Sequence, residues 1–275
     1  MPTRLPSRHV GEAFQAYVFD MDGTVYLGDA LLPGVTELIA ALRRTGRRYA
    51  FSTNNSTHSR ADYAAFLRGL GVPASEDHVV TSGSLTAAWI RRHRPEARCF
   101  VLGEAPLLAE LTAAGVTLTT DPAEITLVVA SFDRTLTYAK LQTAFDALHG
   151  RPATGFIATH PDAYCPLPGG NGQPDAAAVT AAIEASTGRA CQLVIGKPSA
   201  AMMTTACAQL GVPVTEAILV GDRLRTDIAA GLAAGARTAV VLTGETTLAD
   251  LAEWPEAGLP DYVLERIDLL AEPLG

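Results

Sequence analysis

Along nearly the whole chain, short runs of Val, Ile, Leu and Phe alternate with alanine-rich stretches whose apolar residues recur at helical spacing. That alternation is the pattern of βα units built around a parallel sheet. It predicts strands near residues 16–20, 48–53, 78–81, 98–102, 126–131, 154–157, 192–195, 217–220 and 237–242, with helices in most of the gaps. The expected class is α/β, with a doubly wound, Rossmann-like parallel sheet and a second α/β domain inserted into it. From about Pro95 to Ala190 the βαβα pattern persists but closes in HPDAYCPLPGGNGQPD, His160 to Asp175, whose prolines and glycines predict a loop without regular structure. A loop of that length is functional or a surface decoration. Arg94–Pro95 and Gly188 mark crossing points, so the expected division is a core over 1–94, an inserted cap over 95–190 and the rest of the core over 191–275.

Length, 275 residues, fits one large domain or two modest ones, and 48% apolar residues suffice for a sizeable core. A net charge of −8 argues against general nucleic-acid binding, which needs Lys and Arg to neutralise phosphates, while leaving room for a small anion at a local positive site. Neither a membrane-spanning run nor a signal-like start is present, which predicts a cytoplasmic protein with no membrane partner. Cys99, Cys165, Cys191 and Cys207 are scattered without a C-x-x-C pair and read as packing residues. The chain has only two lysines, Lys140 and Lys197, so each raises the question why arginine did not serve.

Four segments carry candidate chemistry. In YVFDMDGT, Tyr17 to Thr24, an apolar strand ends in Asp20 and Asp22, at the sheet edge where ligands of open α/β folds bind. A calcium loop would need glycine at its sixth position, where Val25 stands; a solvated turn is the bland alternative. In FSTNNS, Phe51 to Ser56, Thr53, Asn54 and Asn55 suit either an oxyanion or a helix cap. VIGKPS places Lys197 after a short strand and before Pro198, expected to open a helix, so that a compact point charge faces a phosphoryl group or simply solvent. ILVGDRLRTDI ends a strand in Asp222, a hard oxygen donor of the kind magnesium takes, with Asp227 following where a helix cap is expected.

In this order the four segments resemble the haloacid dehalogenase superfamily, over nearly the entire chain. The large segment between FSTNNS and VIGKPS, the HPDAYCP loop and AAIEASTGR resemble its NagD-type or 4-nitrophenylphosphatase subgroup. The chain departs at QPDAAA, Gln173 to Ala178, where some members carry P-G-x-G. The resemblance implies a phosphatase acting on a small phosphorylated metabolite, such as phosphoglycolate, glycerol phosphate, a sugar phosphate, pyridoxal phosphate or a nucleotide, with 4-nitrophenyl phosphate as generic substrate. It implies Asp20 as the nucleophile forming an aspartyl phosphate, and Asp22 as general acid and then base. Mg2+ is then held by the Asp20 side chain, the Asp22 backbone carbonyl and Asp222, with Asp227 behind them. Lys197, Thr53, Asn54 and Asn55 are expected to bind the phosphoryl oxygens. A cap closing over the site offers His160, Asp162 and Tyr164 for substrate contact, although a histidine bonding its own turn explains His160 equally. Tyr26 and Arg223, beside the motifs, are further candidates to line the site. Caps of this class often pair, so a homodimer through the cap stands beside a monomer. A non-catalytic protein binding the same metabolites is the rival class, and loss of Asp20 or Asp22 would be its mark. A dinucleotide-binding oxidoreductase is excluded, because DMDGT stands where G-x-G-x-x-G belongs.

Overall fold

A computed structural model describes residues 6–167 and 171–274. Contact density divides the chain into two compact units: residues 1–53, 61–80 and 197–275 form the first, and 54–60 with 81–196 the second. The segment 95–190, drawn from sequence as a cap, lies wholly within the second.

The first unit is built on a six-stranded sheet in the order Tyr262–Leu264, Arg237–Val241, Ala217–Gly221, Ala16–Asp20, Arg48–Thr53, Val79–Thr81. The central strand AYVFD is buried at all five positions, as a parallel strand covered on both faces requires. It runs parallel to both neighbours, with Phe19 opposite Phe51 and Val220, and Asp20 opposite Ser52. Chain order reverses between Ala16–Asp20 and Ala217–Gly221, so Asp20 and Asp222 leave the sheet at its topological switch point. Tyr17, Phe19, Phe51, Leu38 and Leu42 are fully buried beneath them. Each such large side chain contributes about 1.5–3 kcal/mol.

The second unit carries a five-stranded sheet in the order Leu193–Val194, Gly155–Ala158, Leu127–Ala130, Arg98–Leu102, Thr117–Leu118, parallel throughout. The strand preceding Lys197 thus belongs to this sheet. Its core is formed by Phe100, Leu102, Val128, Phe156 and Ile183 among others.

Two expectations are corrected. The His160–Asp175 stretch is not wholly irregular: Tyr164–Leu167 pairs antiparallel with Asn171–Pro174. An isolated two-stranded ribbon tolerates Pro166 because its backbone faces no third strand. Pro198 does not open a helix. The next helix begins at Ala201, whose N–H reaches the Ser199 hydroxyl at 3.3 Å, so a serine turn occupies the place of the first helical turn. Among the described residues no helix is long and apolar enough to cross a membrane.

Candidate active site

The site assembles in the first unit from three strand ends. Beyond Asp20 the chain turns back at once: Val25 and Tyr26 return their N–H groups to the Met21 carbonyl, at 2.8 and 3.2 Å, and Gly23 takes a left-handed φ of 80°. The turn aims Asp20 and Asp22 differently. Asp20 is buried, whereas Asp22 is half-buried and accepts the Tyr26 hydroxyl at 3.3 Å. Burial, with Asp22 alongside, pushes the Tyr26 phenol well above its usual value, so it is a permanent donor.

Asp20, Asp222 and Asp227 converge, with one oxygen of each within 4.8 Å of the others. Lys197, only 2% exposed, is the cation among them. Its Nζ pairs with Asp20 Oδ1, lies 2.7 Å from Asp227 Oδ1, and donates to the Ser52 carbonyl at 3.3 Å. Burial opposes this charge, but Asp20 and Asp227 outweigh burial and hold the ammonium above its usual pKa. A fully enclosed lysine, hydrogen-bonded to Asp20 and the Ser52 carbonyl and ion-paired with Asp227, answers the question the composition raised. The carboxylates move the other way. Burial, then Asp227, raise Asp20 well above the ordinary range, and the same two causes push Asp222 up to about 7.

Asp227 is not an exposed helix cap. It is 1% exposed, and its Oδ2 accepts the Arg223 N–H at 3.1 Å, which leaves Oδ1 for Lys197. Glycines make room for the acids. A β-carbon on Gly221 would stand 2.3 Å from Asp227 Cβ, and one on Gly23 or Gly244 would stand 2.6 or 2.0 Å from Asp222 Oδ2. Asp222 Oδ2 accepts the Glu245 N–H at 2.7 Å, while Asp222 Oδ1 is buried without a hydrogen bond. Such an orphaned buried acceptor is costly unless something else meets it. The loop Thr243–Gly244–Glu245 escaped the sequence reading. Its signal was there, since a strand ending at Val241 is followed, after Leu242, by polar TGET, and Thr243 ties it to the Gly23 carbonyl at 2.6 Å.

Of the remaining candidates, Thr53 closes its strand in the first unit, buried. Asn54, Asn55, His160, Asp162 and Tyr164 belong to the second unit. There, Asn54 Nδ2 donates to Asp162 Oδ2 at 3.0 Å, His160 is fully buried against Asp175 at 2.9 Å, and Tyr164 is half-exposed on the ribbon. Arg223 pairs with Glu245 at 3.1 Å.

Comparison with known proteins agrees with this geometry. Residues 17–117 match the family of haloacid dehalogenase-like hydrolases, and 194–270 match a second haloacid dehalogenase-like hydrolase family. The sugar-phosphatase AraL of Bacillus subtilis is 38% identical over 91% of this chain and 89% of its own. The crystal structure of a 4-nitrophenylphosphatase from Thermotoga maritima superposes with a TM-score of 0.88 at 40% identity, over 95% of this chain and 98% of the other. A glycerol phosphate phosphatase from Mycobacterium tuberculosis, solved in complex with magnesium, superposes with a TM-score of 0.86 at 29% identity, over 96% and 79%. With its parallel-sheet core, its second α/β unit and carboxylates gathered at two adjacent strand ends, the chain belongs to the haloacid dehalogenase superfamily, as a hydrolase of the NagD and 4-nitrophenylphosphatase type.

Proposed function

We propose that the chain is a magnesium-dependent phosphatase that hydrolyses a small phosphorylated metabolite through an aspartyl phosphate on Asp20. The observation that carries this reading is the buried meeting of Asp20, Asp222 and Asp227 around the single ammonium of Lys197. Three carboxylates against one enclosed ammonium, with Arg223 near Asp222 but paired to Glu245, leave negative charge uncompensated in a site from which water is largely excluded. The unbonded Oδ1 of Asp222, a carboxylate that Gly23 and Gly244 leave room for, fits a hard divalent cation that takes oxygen donors. When bound by Asp20, Asp222 and the Asp22 backbone carbonyl, magnesium supplies the positive charge that lets an anionic nucleophile meet an anionic phosphate.

The Asp20 carboxylate attacks phosphorus, forming an O–P bond as the bond to the leaving alkoxide breaks. Asp22, set on the turn rather than in the cluster, gives its proton to that alkoxide. It then takes a proton from the water that attacks the aspartyl phosphate, which restores Asp20 and releases phosphate. Lys197 keeps its charge beside Asp20 Oδ1 throughout, and Asp227 holds Lys197 in place. Thr53, with Asn54 and Asn55 that follow it in sequence, binds the remaining phosphoryl oxygens. Choice of metabolite rests on the 95–190 segment in this reading. The relatives point to sugar phosphates, glycerol phosphate or phosphoglycolate. The test is phosphate release from a panel of these with 4-nitrophenyl phosphate as reporter. Release that chelator abolishes supports the reading; no release from any of them in magnesium contradicts it and favours a non-catalytic binding protein.

Metal-free stability has a definite pH dependence. Because the folded pKa values of Asp20 and Asp222 lie above those of the unfolded chain, roughly 3.9, the native state binds more protons between about pH 4 and 7. Stability is therefore present at the acid end and lost as pH rises through the folded values. Lys197, whose pKa is raised, titrates far above this window and adds no opposing slope. The expected result in chelator is a Tm that falls from pH 5 to pH 7.5, and magnesium restores it at pH 7.5. A Tm that rises over this range in chelator contradicts the account.

Gly244→Ala is a second test, free of titrating groups. Its β-carbon displaces the Asp222 carboxylate, so magnesium affinity falls by at least about tenfold, the scale of one misplaced ligand, while the rest of the sheet stays folded. Calorimetric magnesium titration of the folded variant reads this directly.

A further inference from the structure

Inside the second unit, five buried side chains form one hydrogen-bonded file. Ser56 Oγ lies 2.7 Å from Ser131 Oγ, which lies 2.7 Å from Thr159 Oγ1. Thr159 Oγ1 lies 2.8 Å from His160 Nδ1, and His160 Nε2 lies 2.9 Å from Asp175 Oδ1. None of the five is more than 4% exposed. The chemistry of the last member sets the direction of the file. A carboxylate only accepts, and Asp175 Oδ1 already takes the Ala176 N–H at 2.5 Å, so the His160 proton sits on Nε2. In the neutral ring Nδ1 then accepts from Thr159, Thr159 accepts from Ser131, and Ser131 accepts from Ser56. Every hydroxyl proton is spent inward. Breaking any link strands a buried donor or acceptor, which makes the file stiff as well as stable.

The file ends on Ser56, one residue past Asn54–Asn55, and the same segment is tied twice more. Asn54 Nδ2 donates to Asp162 Oδ2 at 3.0 Å, and the Ser82 hydroxyl donates to the Asn54 carbonyl at 2.5 Å. Thr159 closes the arrangement with its backbone, since its carbonyl takes the Gly196 N–H at 2.7 Å. Gly196 itself leaves the room that Asn54 needs, because a β-carbon there would stand 2.5 Å from Asn54 Oδ1. His160, fully enclosed, has no surface with which to meet a ligand.

We propose that Ser131, Thr159, His160, Asp162 and Asp175 are positioning residues that hold the Asn54–Asn55–Ser56 segment in its phosphate-binding conformation, with His160 acting through the hydroxyl file and without touching substrate. This rests on the phosphatase reading for the role of Asn54 and Asn55. A file that merely satisfies a polar core would lower stability when cut and leave binding alone. A positioning file weakens phosphate binding in particular.

Isosteric Thr159→Val cuts the file and keeps the shape; Thr159→Ser keeps the hydroxyl and loses a methyl group; Ser131→Ala cuts one link nearer Ser56. The readouts on the magnesium-loaded enzyme are KM and kcat for 4-nitrophenyl phosphate, inhibition by inorganic phosphate, Tm, and hydrogen exchange of the peptide spanning 53–58. Thr159→Val and Ser131→Ala are expected to raise KM and the phosphate inhibition constant about tenfold, the scale of one orphaned buried group, with kcat within about threefold. Exchange over 53–58 quickens in both. Thr159→Ser restores binding and protection, and the double variant is no worse than the weaker single one, because both cut the same file. The proposal is overturned if Val and Ala lower Tm without moving KM, phosphate inhibition or exchange, or if Thr159→Ser is as damaging as Thr159→Val. Should the wild type release no phosphate at all, the phosphatase reading fails by itself. The exchange comparison still decides whether the file holds the segment.

Discussion

Asp20→Asn is expected to lower kcat by at least about 10^4-fold, the order seen when a covalent nucleophile is removed, with the protein still folded. The amide has nearly the shape of the carboxylate but cannot form the aspartyl phosphate. Stability separates this from a folding defect. Burial and the neighbouring Asp227 raise the Asp20 pKa, so the folded chain prefers that group uncharged, and a neutral amide removes the repulsion permanently. In chelator at pH 7.5 the variant should therefore melt at or above the wild-type temperature. Steady-state rates and thermal melts on the same preparation test both halves. A variant that melts far below wild type, or that keeps a tenth of its activity, contradicts the assignment.

Lys197→Met has the second largest effect, with the opposite sign on stability. Methionine fills much of the same buried volume but leaves Asp20, Asp222 and Asp227 together without the ammonium they surround. Breaking a buried ion pair from one side costs about 3–5 kcal/mol. The loss should be largest at pH 8 in chelator, smaller at pH 5 where Asp20 and Asp222 take up protons, and partly reversed by magnesium. Loss of a charge aimed at the phosphoryl group should also cost about 10^2–10^3-fold in kcat. Denaturant unfolding at the two pH values reads the first effect; equal destabilisation at both would show that lost packing, not charge, is the cause.

Much of this was legible beforehand, and the reasons lie in particular residues. Strands such as AYVFD and AILVG announce themselves because parallel strands buried on both faces are continuous apolar runs. The first ends in a carboxylate and the second is followed at once by one, so Asp20 and Asp222 stood out without any knowledge of contacts. Tyr262–Leu264 was missed because three residues at a sheet edge carry no periodicity. The ribbon Tyr164–Leu167 with Asn171–Pro174 was missed because Pro166 and Gly172 argue against a strand, a rule that an isolated ribbon escapes. Within the site, the enclosure of Asp227 and the need for glycine at 221 and 244 depend on close approaches. No local pattern carries those. Nor did the spacing of Ser56, Ser131, Thr159, His160 and Asp175 suggest a single file, since four segments separated in sequence meet there.

The most direct test of the central claim is mass spectrometry of the enzyme, acid-quenched during turnover of 4-nitrophenyl phosphate in magnesium and reduced with borohydride, which converts an acyl phosphate at an aspartate to homoserine. The account predicts conversion at Asp20, dependent on both substrate and magnesium, and none at Asp22, Asp222 or Asp227. Turnover that leaves Asp20 unmodified while another residue carries the phosphoryl group, or while conversion appears at none, would contradict it.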